Sequence, residues 1–446
     1  MVLLTYSIHG IYLKMIHVCE PQCKKGSHEN FNSGFLYGLR EKYGELTFYA
    51  ENTHIQHIKY FFELRKIDYR KNISYININL LDNIYDFRQL IYYRKIFYNI
   101  IRKFSKNDKI IFLSINPMAL FALFNISNKK KYKNIKFNIV LHGGIEDLYT
   151  HSKKVKPNKN NSNTSNYEKE NFFLFFYLLI KYIWRIFRYS IPKFFSYTIP
   201  NKIYNYLNNL NKFLYNHKSF FKKNKDLSSF NFIVLSKHIL NNLRIENITF
   251  RMKLLFLPCI FFPIINQNNN DYPKFALFGY GTDNGLFEEF LEELENLKPT
   301  KNYEIRLISS RGYSGIEKCN NLTQPIKTYI PRQEMEIMSE DIDYFLNFYD
   351  KYQYRLSCSG SIIESIMLRK PVIYIGNENY DSYNNLSGPI GIRTGNTQNF
   401  AKIVFNIIEN WPSDQKNISI YKLNIEKVIK IIDINNQLKN NSNIFV

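Results

Sequence analysis

The chain has 446 residues, 45% of them hydrophobic and 17% aromatic, enough apolar material for two or three packed domains, which excludes a disordered chain. The net charge of +22 is unevenly held: residues 1–270 carry 41 Lys and Arg against 16 Asp and Glu, and residues 271–446 carry 19 against 22. Such asymmetry turns the first half toward an anionic partner, nucleic acid or an anionic membrane surface, unless the Lys-rich, Asn-rich composition merely decorates the surface.

Residues 1–14 are short and mixed, with no signal-peptide pattern, and read as a tail or an upstream start, because Met15 directly precedes the first good strand. That strand, Met15–Glu20, leads into a polar loop, Pro21–His28, and a helix, Asn30–Tyr43, with Phe31, Phe35, Leu36 and Leu39 on one face. A strand at Leu46–Ala50, a helix at Ile55–Leu64 and a strand at Ile73–Ile78 follow. Next come a long helix at Phe87–Phe104, a strand at Lys109–Ile115, a short helix from Pro117 and a strand at Phe137–His142. Strands alternating with helices at this spacing predict a parallel sheet covered on both faces.

Residues 151–170 are rich in Lys, Asn and Ser and read as a mobile surface loop. Phe172–Tyr189 has an unbroken apolar part of about nine residues, far short of the ~20 that cross a bilayer. Lys181, Arg185 and Arg188 recur there at helical spacing, which fits an interfacial amphipathic helix or, alternatively, a buried aromatic helix over the sheet. The 15 basic and 2 acidic residues across 151–225 favour the interface.

Phe230–Ser236 reads as a strand, Lys237–Leu243 as a helix and Met252–Pro258 as the last strand of this half. Asn266–Asp271 is the best linker in the chain. A fresh series follows, with strands at Lys274–Phe278, Tyr303–Ser309, Ile326–Tyr329 and Ile342–Phe348, and helices at Leu286–Leu297, Thr397–Trp411 and Leu423–Leu438. The five cysteines, Cys19, Cys23, Cys259, Cys319 and Cys358, are scattered and odd in number. Cys19-x3-Cys23 has no second pair to complete a zinc site, so free thiols in a reducing compartment are expected.

The most informative segment is 357–373. A turn at Ser359, Gly360 and Ser361 opens an apolar helix that ends before Lys370-Pro371, and a strand, Val372–Ile375, follows. This layout leaves backbone N–H groups free at a helix N-terminus, where phosphate binds. Glu364 lies one turn inside, within reach of ribose hydroxyls. Ser361-x-x-Glu364 also fits a capping box, and the two roles are compatible. Gly281 and Thr282, in Gly279–Gly285, lie on a turn whose glycines let backbone approach phosphates. Arg311 ends a strand and offers paired hydrogen bonds to an anionic group. His28, after the first strand, has a side chain suited to proton transfer near neutral pH. His142-Gly143-Gly144-Ile145-Glu146-Asp147 offers a histidine and two carboxylates able to act as alternative bases. No metal-binding spacing occurs; Asp341-x-Asp343 enters a strand and reads as structural.

Residues 357–375, with Arg369-Lys370-Pro371-Val372-Ile373 in place of the usual Gly-Lys-Pro-Val-Ile strand, resemble the donor-binding motif of GT-B glycosyltransferases, nearest to bacterial surface-polysaccharide enzymes. Retaining members often carry Glu-x7-Glu; here Leu356 stands in place of the first Glu. The resemblance implies an α/β fold with two Rossmann-like domains facing each other across a cleft. Residues 1–268 would form an acceptor-binding domain with a basic aromatic insert at 151–225. Residues 269–446 would bind the nucleotide-sugar, with the last helix free to pack back on the first domain. It further implies that Glu364 holds the donor ribose, that Ser359, Gly360, Ser361, Gly281, Thr282 and Arg311 face the diphosphate, and that Arg332 lies on a loop passing the nucleobase or phosphate. His28 would be the base of an inverting enzyme, and His142 and Glu146 would face the cleft.

The implied activity transfers a sugar from a nucleotide-sugar co-substrate, with no other cofactor and no metal. The acceptor would be lipid-linked or a polysaccharide, at the inner face of the plasma membrane. A UDP-N-acetylglucosamine 2-epimerase on the same fold is the alternative, against which the basic aromatic insert argues. A basic, non-enzymatic nucleic-acid-binding protein is the third; the acidic second half and the lack of a nucleic-acid module argue against it.

Overall fold

A computed structural model describes residues 15–80, 88–104, 108–142, 145–148, 220–221, 227–246, 248, 252–261, 270–278, 285–308, 321–322, 330–441 and 443–445. They form two wholly parallel sheets. The first contains β1 (Ile16–Cys19), β2 (Leu46–Ala50), β3 (Ile73–Asn77), β4 (Lys109–Phe112), β5 (Phe137–Leu141), β6 (Phe230–Val234) and β7 (Met252–Leu254), in the order β3-β2-β1-β4-β5-β6-β7. Strands β2, β5 and β6 are buried along their whole length, as helices on both faces require, and their polar residues, Thr47, Asn138 and Asn231, are buried with them. Helices α1 (Glu29–Tyr43) and α2 (Asn52–Leu64) cover one face; α3 (Gln89–Ile101) and α4 (Pro117–Ser127) cover the other. Helix α4 starts where Asn116 accepts from the Ala119 N–H (2.9 Å) and Pro117 takes the first turn. Helix α5 (Lys237–Ile245) follows β6.

The second sheet contains β8 (Lys274–Phe278), β9 (Glu304–Ile308), β10 (Tyr344–Asn347), β11 (Val372–Ile375) and β12 (Gly391–Thr394), in the order β12-β11-β10-β8-β9. Its helices are α6 (Leu286–Leu297), α7 (Arg332–Ser339), α8 (Gly360–Met367), α9 (Glu378–Ser387), α10 (Thr397–Glu409), α11 (Gln415–Ile432) and α12 (Ile434–Asn440). Asp341 and Asp343 tie this sheet together. Asp341 pairs with Lys274 and Arg306 (2.6 Å each); burial opposes its charge, but the two cations prevail and hold it at about 2. Asp343 accepts from the Lys274 N–H (2.9 Å) and from Asn270. Lys370 is buried and donates to the carbonyls of Glu340 (2.6 Å) and Ile342 (2.8 Å), which locks the turn between α8 and β11.

Three elements, α7, α9 and β12, are absent from the sequence expectations, and the expected helix Leu423–Leu438 is two. Its apolar period runs on through Asp433, but there the backbone turns extended and the Asp433 carboxylate caps α12 through the N–H groups of Asn435 (3.0 Å) and Asn436 (3.1 Å). The expected strand Ile326–Tyr329 lies outside the described residues.

Helix α12 packs against the first half. Lys42 donates to the Leu438 carbonyl, and Gln437 bonds Phe256 at both its N–H (2.6 Å) and its carbonyl (3.1 Å). Two glycines of α1 make room for its neighbours, Gly34 for the Pro258–Cys259 segment of the same half and Gly38 for Ile434 of α12. A Cβ on Gly34 would sit 2.8 Å from the Pro258 carbonyl oxygen, and one on Gly38 would overlap Ile434. One buried apolar cluster therefore runs from Phe35 and Leu39 through Cys259 and Ile434 to Ile362 and Tyr383, joining the two halves.

Candidate functional site

In each sheet the strand order reverses at one point, and the loops leaving the strands there open a crevice suited to ligands. In the first sheet that point lies between β1 and β4. The loop after β1 ends at His28, which precedes α1 in a left-handed conformation (φ 57°). Glu20 clasps this loop by accepting from the N–H groups of Gln22 (3.0 Å) and Cys23 (3.1 Å) and from Asn32 (3.2 Å). His28 Nδ1 lies 3.2 Å from Ser114 Oγ, just after β4, and 3.3 Å from Cys23 Sγ. The His142 ring, just after β5, meets the His28 ring edge-on at 4.2 Å and stacks on Phe31 at 4.3 Å. Burial pulls His28 down to about 4. Burial and the neighbouring His28 hold His142 well below the usual imidazole range. Both are therefore neutral at neutral pH, and His142 Nδ1 is buried without a partner.

In the second sheet the reversal lies between β8 and β10. The segment after β10 leads to α8, whose N-cap is Ser359. Its hydroxyl makes no cap bond; it pairs instead with Tyr349 OH (2.8 Å), which also donates to Ser361 Oγ (3.1 Å). The first N–H groups of α8 thus lack the side-chain acceptor that an N-cap serine usually supplies. A Cβ built on Gly360 meets nothing within 4 Å, so the space before this helix end is open. Gly360 and Glu364 are four residues apart and share one face of α8.

Glu364 looks across to the first half. Its Oε1 accepts from Asn30 Nδ2 on α1, and its Oε2 faces Arg332 Nη2 at 2.5 Å. Arg332 also pairs with Glu336 (2.7 Å), which in turn pairs with Arg65 just after α2. Burial acts against the Arg332 charge, but Glu364 and Glu336 outweigh it and raise its pKa. Glu29, at the start of α1, lies 3.4 Å from His57. Burial pushes its carboxyl up; Arg332 opposes this, Glu364 and Glu336 add to it, and the result is about 7.

The candidates read from sequence thus fall into two groups. His28 and His142 share one cluster; Ser359, Gly360, Ser361, Glu364 and Arg332 share the other; the Asn30–Glu364 contact links them. Arg332 is not on a loop but opens α7, after Pro331. Glu364 does not form a capping box, since its carboxylate is directed to Asn30 and Arg332 and the helix begins at Gly360. Glu146 lies in a short 3-10 turn, Ile145–Leu148, and its side chain is outside the description. Gly281, Thr282, Arg311, residues 143–144 and the segment with Lys181, Arg185 and Arg188 also lie outside the described residues. Sequence reasoning missed Asn30, Glu29, Ser114 and Tyr349. Only Tyr349, at the end of a strand-like run, carried a local signal. Among the described residues, no group of three His, Cys, Asp or Glu could hold a metal ion, and no helix is long and apolar enough to cross a membrane.

No protein-family profile matches the chain, and no curated protein matches it. Solved structures do. A glycosyltransferase from Rickettsia africae aligns over 97% of this chain and 98% of its own, with 13% identity and a TM-score of 0.53. Anabaena HepE in complex with UDP-glucose aligns over 96% and 99%, with 11% identity and a TM-score of 0.51. The N-terminal domain of a trehalose-6-phosphate phosphatase from Candida albicans aligns over 97% of both chains, with 9% identity and a TM-score of 0.53. At such identities the likeness defines the fold: the chain has the GT-B architecture of two Rossmann-like α/β units.

Proposed function

We propose that this protein is a glycosyltransferase that moves a sugar from a nucleotide-sugar to a lipid-linked or polysaccharide acceptor at an anionic membrane face. The observation that carries the reading is the open N-terminus of α8 with Glu364 one turn behind it, facing α1 of the other half. The donor diphosphate takes the free N–H groups of α8 and the hydroxyls of Ser359 and Ser361. The ribose hydroxyls take Glu364, displacing Asn30. Arg332 balances the charge behind them, and the resemblance read from the sequence assigns Gly281, Thr282 and Arg311 to the same diphosphate. The UDP-glucose in the Anabaena relative supports a donor of this class.

On the acceptor side, His28 is the base. The role requires the tautomer with Nδ1–H donating toward Ser114 Oγ, which leaves the Nε2 lone pair for the acceptor proton. The acceptor oxygen then bonds to the anomeric carbon as the bond to the diphosphate oxygen breaks, and the nucleoside diphosphate leaves with the electron pair. His142 Nδ1, buried and unpartnered, takes a sugar hydroxyl in this reading. A thermal-shift screen of nucleotide-sugars tests the reading, because a ligand that binds only the folded state raises its stability. Stabilisation by one nucleotide-sugar family is expected; a flat response across the panel would overturn it.

A further inference from the structure

The groove between α3 and α4, on the outer face of the first sheet, has no role in the chemistry above. It is lined by Ile91, Arg94, Lys95 and Tyr98 of α3, by Ile126 of α4 and by Lys129 just beyond. Ile91 is 44% and Tyr98 41% exposed, whereas Tyr93 and Phe97 of the same helix are buried against α4 and the sheet. The Lys129 ammonium sits over the Tyr98 ring at 5.1 Å. Residues 88–136 carry twelve Lys and Arg and a single acid, Asp108. Asp108 pairs with His17 on β1 (3.6 Å). Lys130 and Lys131 extend the exposed cations beyond α4.

We infer that this α3–α4 face is the surface by which the protein docks on a bilayer of anionic phospholipid. The inference rests on the membrane-borne acceptor proposed above and names the surface that reaches it. Adjacent cations repel one another, and a negatively charged surface relieves that repulsion. The exposed Ile91 and Tyr98 between them select a bilayer over a nucleic acid. An interface takes up an apolar side chain at the acyl boundary and a tyrosine at headgroup depth, and a phosphodiester backbone offers neither.

The test is co-sedimentation of the full chain with vesicles of phosphatidylcholine, with and without phosphatidylglycerol. Binding is expected only with phosphatidylglycerol and is expected to weaken as salt rises. Replacing Arg94, Lys95 and Lys129 together by Glu should lower partitioning at least about tenfold. Ile91→Ser with Tyr98→Ser should lower it with the charges intact. All five side chains are exposed, so melting curves should match the parent. Partitioning of the charge-reversed variant like the parent would overturn the inference, including the case where only Lys181→Glu, Arg185→Glu and Arg188→Glu together release the protein. So would no vesicle binding by the parent, or tighter binding to an oligonucleotide that the same triple variant abolishes. Stabilisation by nucleotide-sugar, read on the same samples, should be unchanged in every variant. Its absence in the parent would remove the transferase reading without bearing on the surface.

Discussion

Glu29→Gln should remove a component of stability that changes with pH. Glu29 is only 14% exposed and faces Arg332, Glu364, Glu336 and Arg65, with His57 beside it. Its carboxyl titrates at about 7 in the folded protein, against 4.5 as the ordinary value. The folded state therefore holds this proton more tightly than the unfolded chain does. The stability it gives is fully present below about 4.5 and is lost as pH rises through about 7. A shift of this size corresponds to about 3 kcal/mol across the window. His28 and His142 act in the opposite sense, because their folded values are lowered and they disfavour folding as pH falls. Both remain in the variant, so the difference between parent and Glu29→Gln isolates Glu29. Urea unfolding at a series of pH values between 5 and 8 measures it. The parent's advantage over the variant should shrink steadily by about 3 kcal/mol as pH rises. Glu364→Gln, by removing a like charge, should shift that window to lower pH. A difference flat to within about 1 kcal/mol would refute the packing of Glu29 among these charges.

Other outcomes follow from the same geometry. His28→Ala should lower turnover by about 10²–10⁴-fold with donor affinity nearly intact; a near-normal rate, measured by nucleoside diphosphate release, would move the base to Glu146 or Asp147. Tyr349→Phe keeps the ring but frees the hydroxyls of Ser359 and Ser361. It should weaken nucleotide-sugar binding severalfold, about 1 kcal/mol, with little change in kcat, and steady-state kinetics separates the two. Gly38→Ala should destabilise by about 1–3 kcal/mol in denaturant unfolding, because its methyl group meets Ile434. An unchanged midpoint would contradict the packing of α12 on α1.

What was legible in the sequence was local. Ser359, Gly360, Glu364 and Lys370-Pro371 lie within thirteen residues, and a turn, a helix and a stop can be read from their spacing alone. His28 was legible because a first strand and a first helix bracket it. The Asn30–Glu364 contact joins positions 334 apart in the chain, and nothing in either neighbourhood signals it. Nδ1 of His28 and the Ser114 hydroxyl meet only because β1 and β4 are neighbours in the sheet, which strand order and not local pattern decides. The resemblance put Arg332 on a loop, just after Pro331. The same proline suits a helix start, and an ion pair with Glu336 one turn on holds the residue there. The break at Asp433 was hidden by an apolar period that continues on both sides of it.

The central claim is that the α8 N-terminus with Glu364 binds a nucleotide-sugar. Titration of the parent, Glu364→Gln and Glu364→Ala with the nucleotide-sugar that stabilises the parent most, followed by calorimetry, tests it directly. Both variants should stay folded and bind about 5- to 150-fold more weakly, the scale of a lost hydrogen bond to a charged group. Binding like the parent's by both variants, with only a lower melting temperature, would reduce Glu364 to a structural partner of Arg332 and Asn30 and contradict the account.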